Sequence, residues 1–162
     1  MIDKISLKIL KILQEKARIP NVEVARQVGM APSAVLERIR KLEKQGIIDG
    51  YEVRLNPERF KRGLVSFLFV RTDEGPEGPL GDALAAVHEV MEVHYVAGED
   101  CYLVKLRVAD TADLAKVLRE RIRPLPGVTG TRTAVALATV KETPRIPLDE
   151  SLLESGGDAE GK

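Results

Sequence analysis

A chain of 162 residues, 44% of them hydrophobic, has room for one ordinary domain or two small ones, and no run of about 18 apolar residues marks a membrane helix. A single cysteine, Cys101, excludes an internal disulfide, and no cysteine or histidine cluster accompanies it, so neither a metal site nor a cofactor is expected. The formal charge of +0 hides a division: residues 1–62 carry 14 basic and 8 acidic side chains, while the remaining 100 carry 11 and 17, which fits two units with different partners.

The opening Met-Ile-Asp-Lys-Ile lacks the basic and apolar regions of a signal peptide, which predicts a soluble, cytoplasmic protein. Ile2, Ile5, Ile9, Leu10 and Leu13 recur at helical spacing, predicting a first helix from about residue 3 to 16 with Asp3 favouring its N-terminus. Pro20 breaks the chain and Asn21 is a good N-cap. Val24, Ala25 and Val28 then form the buried side of a short helix that Gly29 can end in the left-handed conformation. Pro32 starts a third helix with Val35, Ile39 and Leu42 as its apolar stripe, and Gly46 ends it. The short glycine turn between these helices is the length used in helix-turn-helix units. Asp49-Gly50, between two short β-prone runs, predicts a small hairpin, a wing. The polar, proline-bearing stretch that follows places a domain boundary near residue 60.

The second half reads strand, helix, strand, twice over. Residues 64–70 form a nearly continuous apolar strand, Leu80, Leu84 and Val87 mark a helix, and residues 93–97 form a second strand. Gly98, Glu99 and Asp100 look like a turn, and Tyr102, Val104, Leu106 and Val108 alternate along a third strand. Asp110 or Thr111 caps a helix carrying Leu114, Val117, Leu118 and Ile122, and residues 131–140 make a fourth strand. The expected fold class is therefore α+β: an N-terminal winged helix-turn-helix, residues 1–60, followed by a ferredoxin-like βαββαβ domain, residues 61–142. Residues 143–162, rich in proline, glycine and acids, are expected to be a mostly disordered tail.

The stripe of Val35, Ile39 and Leu42 leaves Ser33, Glu37, Arg40, Lys41 and Lys44 pointing away from the core, with Arg38 at its edge. A basic helix face by itself is usually only solvated, and Glu37 stands at i,i+4 from Lys41. The glycine turn before it and the hairpin after it shift the reading to a recognition helix in the DNA major groove. There arginine pairs with guanine and lysine neutralises phosphate.

The segments Ala-Arg-Ile-Pro-Asn (17–21), Val-Ala-Arg-Gln-Val-Gly (24–29), the run from Ser33 to Tyr51, Val-Ala-Gly-Glu-Asp-Cys-Tyr-Leu-Val-Lys-Leu (96–106) and Leu-Pro-Gly-Val (125–128) resemble the Lrp/AsnC family of prokaryotic transcription regulators. The likeness spans about residues 2–148. It implies a DNA-binding domain and a second domain that dimerises and binds an amino acid or similar small effector, with dimers assembling into tetramers or octamers. It also implies Arg26, Ser33, Arg38, Arg40 and Lys41 as DNA contacts. Members often carry serine where this chain has Ala31, which lacks a capping oxygen. The family's effector loop commonly reads Gly-Asp-any-Asp-Tyr; here Cys101 replaces the second acid. Gly98, Glu99, Asp100 and Tyr102, with Thr131 and Thr133 on one face of the last strand, are the effector-site candidates. As residue types alone, they favour an ordinary hairpin turn and good strand formers, and it is the resemblance that makes them effector-site candidates.

An enzyme stands as the alternative, because siroheme decarboxylases resemble the family in both domains and use histidine and arginine around a tetrapyrrole. The two histidines here, His88 and His94, have no base, nucleophile or metal partner at a telling spacing.

Overall fold

The computed structural model describes residues 2–73, 75, 77–98 and 101–153, apart from the side chain of Leu152. It forms two compact units, one of the residues up to Arg54 together with the segment from Thr143, the other Leu55–Glu142. The stretch 55–60 thus packs with the second unit. It includes a one-turn 3-10 helix, Pro57–Phe60, capped by Asn56, whose side chain accepts from the Glu58 N–H.

In the first unit, α1 (Lys4–Glu15) begins where the Asp3 carboxylate accepts the Ser6 N–H at 2.7 Å. α2 (Asn21–Val28) starts at the predicted cap, one residue earlier than expected: Pro20 holds the N-cap position and Asn21 is already helical. Gly29 ends α2 at φ 72, as its lack of a Cβ permits. α3 (Pro32–Lys44) has proline in its first turn and Ala31 at an uncapped N-cap. Ile9, Val24, Ala25, Val35 and Ile39 form the core among the three helices.

The predicted hairpin is absent: no strand occurs among residues 47–56. Its first arm is otherwise engaged, because the Ile47 and Ile48 N–H groups both donate to the Leu42 carbonyl at the end of α3, at 2.9 and 3.3 Å. Those donors cannot also ladder with Tyr51 and Val53. Tyr51 instead donates from its hydroxyl to Glu43 at 2.9 Å.

Of the expected disordered tail, residues 154–162 lie outside the described residues, while Arg145 and Ile146 are held against α1. The Gln14 side-chain amide donates to the Ile146 carbonyl and accepts its N–H, at 3.1 and 2.9 Å, and Arg145 donates to the Glu15 carbonyl. An extended chain with an apolar residue at 146 offers an amide both a donor and an acceptor, which composition alone does not reveal.

The second unit is the expected βαββαβ order: β1 (Leu64–Arg71), α4 (Leu80–Ala85), β2 (Val90–Tyr95), β3 (Tyr102–Val108), α5 (Thr111–Val117) and β4 (Gly130–Val135). All neighbours in the sheet, ordered β2-β3-β1-β4, are antiparallel. α5 continues into a π turn, Leu118–Ile122, in which the Arg123 N–H reaches the Leu118 carbonyl. Leu68, Val70, Val104, Leu106 and Val108 meet Leu80, Leu84, Leu114 and Ile122 from the helices. β4 stops short of the expected 140 because its partner β1 runs out. Ala136 makes a last bond to Val65, and Leu137 and Val140 beyond it are 99% and 98% exposed.

Candidate DNA-contacting face and effector region

The outward side of α3 is built by its own stripe. With Val35, Ile39 and Leu42 buried, Ser33, Glu37, Arg40, Lys41 and Lys44 are exposed. Lys41 and Lys44 also sit in the last turn, where cations suit the helix dipole. Arg40 borders a cleft of about 400 Å³ whose walls include Leu13, Ile19, Leu36, Tyr51 and Val53. Burial, then the neighbouring Glu43 carboxylate, push the Tyr51 hydroxyl up to about 12, so it stays a neutral donor.

Three of the five expected DNA contacts, Ser33, Arg40 and Lys41, share this face. Arg26, on α2, is paired with Glu23 at 2.6 Å. That contact holds the Glu23 carboxyl at about 2, through the Arg26 hydrogen bond first and Gln27 second. Arg38 lies differently from the expectation: its guanidinium turns to α1 and donates to Asp3 at 2.6 Å and to the Ser6 hydroxyl at 3.1 Å. Asp3 is held at about 2, by the Ser6 N–H first and Arg38 second. Asp3 and Ser6 therefore orient α3 against α1. Sequence spacing marks Asp3 only as a cap, since a contact across 35 residues leaves no periodic signature.

Of the effector candidates, Glu99 and Asp100 lie outside the described residues. Gly98 has φ 129, which favours glycine. Tyr102 is 3% exposed, with its ring edge-on to Tyr95 at 5.2 Å between centroids, so it is a core residue. Strand register places Tyr102, Val70 and Thr131 in one row and Val104, Leu68 and Thr133 in the next. Thr131 is half-buried and Thr133 exposed. Thr131 thus stands two strand spacings, about 10 Å, from Tyr102 on the same face. Cys101 turns its thiol to the Thr72 carbonyl at 3.4 Å, so the residue in the acid's place is engaged with the end of β1.

On the opposite, helix-free face, a charged network escaped the sequence reading. Glu142 receives Lys105 and Arg107, and Lys105 also reaches Glu92 at 2.8 Å, with His94 3.3 Å from Glu92. Burial opposes the charge on Lys105, but Glu142 and Glu92 outweigh it and its affinity for a proton rises. His94 is a surface member of this network; among the described residues no three histidine, cysteine or acidic groups could hold a metal ion.

Residues 65–146 match the Lrp/AsnC ligand binding domain family, and residues 2–49 match a winged helix-turn-helix DNA-binding family. The chain belongs to the Lrp/AsnC family. This Lrp/AsnC protein is 41% identical, over 88% of its length and 87% of the other's, to the leucine-responsive regulatory protein of Haemophilus influenzae. Its structure is similar to that of a Neisseria meningitidis transcriptional regulator in complex with L-methionine, at TM-score 0.87 and 28% identity, covering 93% of this chain and 99% of that one. It is also similar to a feast or famine regulatory protein from M. tuberculosis complexed with L-methionine, at TM-score 0.83 and 30% identity, covering 92% and 100%. The Lrp/AsnC chain is thus a DNA-binding transcription regulator. Its α+β architecture, a helix-turn-helix unit followed by a four-stranded ferredoxin-like domain, is the one its sequence predicts.

Proposed function

We propose that α3 enters the DNA major groove with Ser33, Arg40 and Lys41 toward bases and phosphates, and that occupancy is tuned by an amino acid bound to the second domain. The observation that carries the reading is the exposed cationic side of α3 on its glycine turn. Arg26 joins the interface when its pair with Glu23 opens, and Arg38 acts as a positioning residue. A single helix rarely supplies enough contacts for specificity at physiological salt. A two-fold dimer sets two such helices about 34 Å apart, one turn of B-DNA, and predicts a near-palindromic site. Half-buried Phe67, Phe69 and Leu103 on the helix-free sheet face support that face as the self-association surface, with higher assembly to tetramers or octamers. The effector is an α-amino acid, supported by the L-methionine complexes of the two similar regulators, and Gly98, Glu99, Asp100, Tyr102, Thr131 and Thr133 mark its neighbourhood. The chain works as a regulator and not as an enzyme.

Selection of bound duplexes from random DNA at two salt concentrations tests this. A recovered near-palindrome, with Arg40→Ala relaxing one position by about 1–3 kcal/mol, is expected. Equal affinity for all duplexes refutes the proposal. Titration calorimetry with L-methionine and the other amino acids, repeated on Asp100→Ala, tests the effector; no heat with any of them leaves the second domain an assembly module.

A further inference from the structure

The chain passes between its two units twice, at Arg54–Leu55 and again at Glu142–Thr143. One side chain of β3 grips it after the first passage and before the second. Arg107 donates from one guanidinium nitrogen to the Arg62 carbonyl at 3.1 Å, and from another to the Glu142 carboxylate. Lys105, two residues away on the same strand, pairs with the other Glu142 oxygen. The Lys105 and Arg107 side chains are only 14% and 13% exposed, so little solvent screens them from Glu142. Lys105 first and Arg107 second hold the Glu142 carboxyl below its ordinary value against the effect of burial.

A few residues on, the same segment is fixed again, this time to α1. The Gln14 amide pairs with both backbone groups of Ile146, and Arg145 reaches the Glu15 carbonyl. Each of these anchors lies within one unit, and the chain between them is short and stiff. Pro144 fixes its own φ and confines Thr143 to extended backbone. The Thr143 hydroxyl accepts the Arg145 N–H at 3.1 Å, and Pro147 follows Ile146. At about 3.5 Å per residue, Glu142 and Ile146 cannot part by more than about 14 Å. Relative motion is the default for two domains, and a single connection leaves one free to swivel about it. A second, separate connection allows rotation only about the line joining the two.

We infer that the strap from Glu142 to Ile146 sets the half-site spacing this regulator accepts: Glu142 and Gln14 are positioning residues that keep the DNA-binding unit from swivelling, so the two recognition helices of a dimer meet DNA at one separation. The inference rests on the proposed reading of α3 and of the two-fold dimer. The strap reads no base and acts through geometry alone. Inserting five base pairs between half-sites turns one of them by about half a turn around the DNA axis, and ten restore the facing. A swivelling unit follows that turn; a strapped one does not.

The test measures binding of the full-length protein to duplexes with two copies of the selected half-site, at the selected spacing and with five or ten base pairs inserted, and to a duplex with one copy. The wild type should lose at least about tenfold in affinity on the five-base-pair insertion, since the second half-site no longer binds intramolecularly, and recover most of it with ten. In E142A and in Q14A the loss should shrink to within about threefold, and in E142A/Q14A no further, because both residues act through one strap. Affinity for the single half-site and mass by light scattering should match those of the wild type. If E142A changes mass, Q14A, which lies outside the sheet, decides. A wild type that prefers no duplex overturns the reading of α3 itself. A selective wild type that tolerates the five-base-pair insertion overturns the strap alone. So do variants that keep the wild type's sensitivity to spacing, or that lose affinity equally for one half-site and for two.

Discussion

Replacing Asp3 by alanine removes two contacts at once, and the structure sets the size of the effect. One carboxylate oxygen caps α1 by accepting the Ser6 N–H at 2.7 Å; the other takes Arg38 at 2.6 Å. Loss of an N-cap costs about 1 kcal/mol. The Asp3 and Arg38 side chains are 53% and 32% exposed, so their pair adds only about 0.5 kcal/mol. For a unit of this size, about 1.5 kcal/mol lowers the unfolding midpoint by about 6–12 °C, read by circular dichroism as the helix-rich transition. The pH dependence follows from the same contacts. The folded carboxyl lies at about 2 against an ordinary 3.8, so its stabilisation is complete above pH 3.8 and is lost as pH falls toward 2. The gap between wild type and Asp3→Ala should therefore close across that window. A midpoint moved by less than about 2 °C, far below the shift such a cap implies, would refute the reasoning. So would a gap that stays constant down to pH 2. Arg38→Met separates the roles of Arg38: it should cost about 0.5 kcal/mol of stability and leave the salt slope of DNA binding unchanged. A slope reduced by about 0.9 would place the guanidinium on a phosphate instead.

Ala31 has the extended N-cap conformation without an acceptor, so Ala31→Ser should stabilise the first unit by about 1 kcal/mol, seen as a later helical transition. A Cβ at Gly29 meets nothing within 4 Å, so Gly29→Ala should cost only the left-handed backbone penalty of about 1–2 kcal/mol, and Gly29→Asn less. Leu68 is fully buried at the centre of the sheet, and Leu68→Ala should cost about 2–5 kcal/mol in urea unfolding of the second unit while the helix-rich transition stays in place.

Periodicity and punctuation carried most of the fold. Helices α1 to α3 lie where apolar spacing and Pro20, Gly29, Pro32 and Gly46 put them, because a helix needs only local donors, acceptors and one apolar stripe. The exposed side of α3, with Ser33, Arg40 and Lys41, was legible for the same reason. The segment 47–55 was not: a β-prone sequence with Asp-Gly forms a hairpin only if its N–H groups are free, and the Leu42 carbonyl takes two of them.

What the sequence determined by itself is therefore whatever depends on neighbours within a turn or two: the helices, the alternation of β3, the order βαββαβ and the cationic side of α3. Tertiary structure alone decided the partners of the charged and polar side chains. It set Arg38 against Asp3 and Ser6, closed Lys105 and Arg107 on Glu142, and set Gln14 against the backbone of Ile146. These contacts join residues tens of positions apart, and a long flexible side chain has no preference among such partners until packing brings one of them within reach.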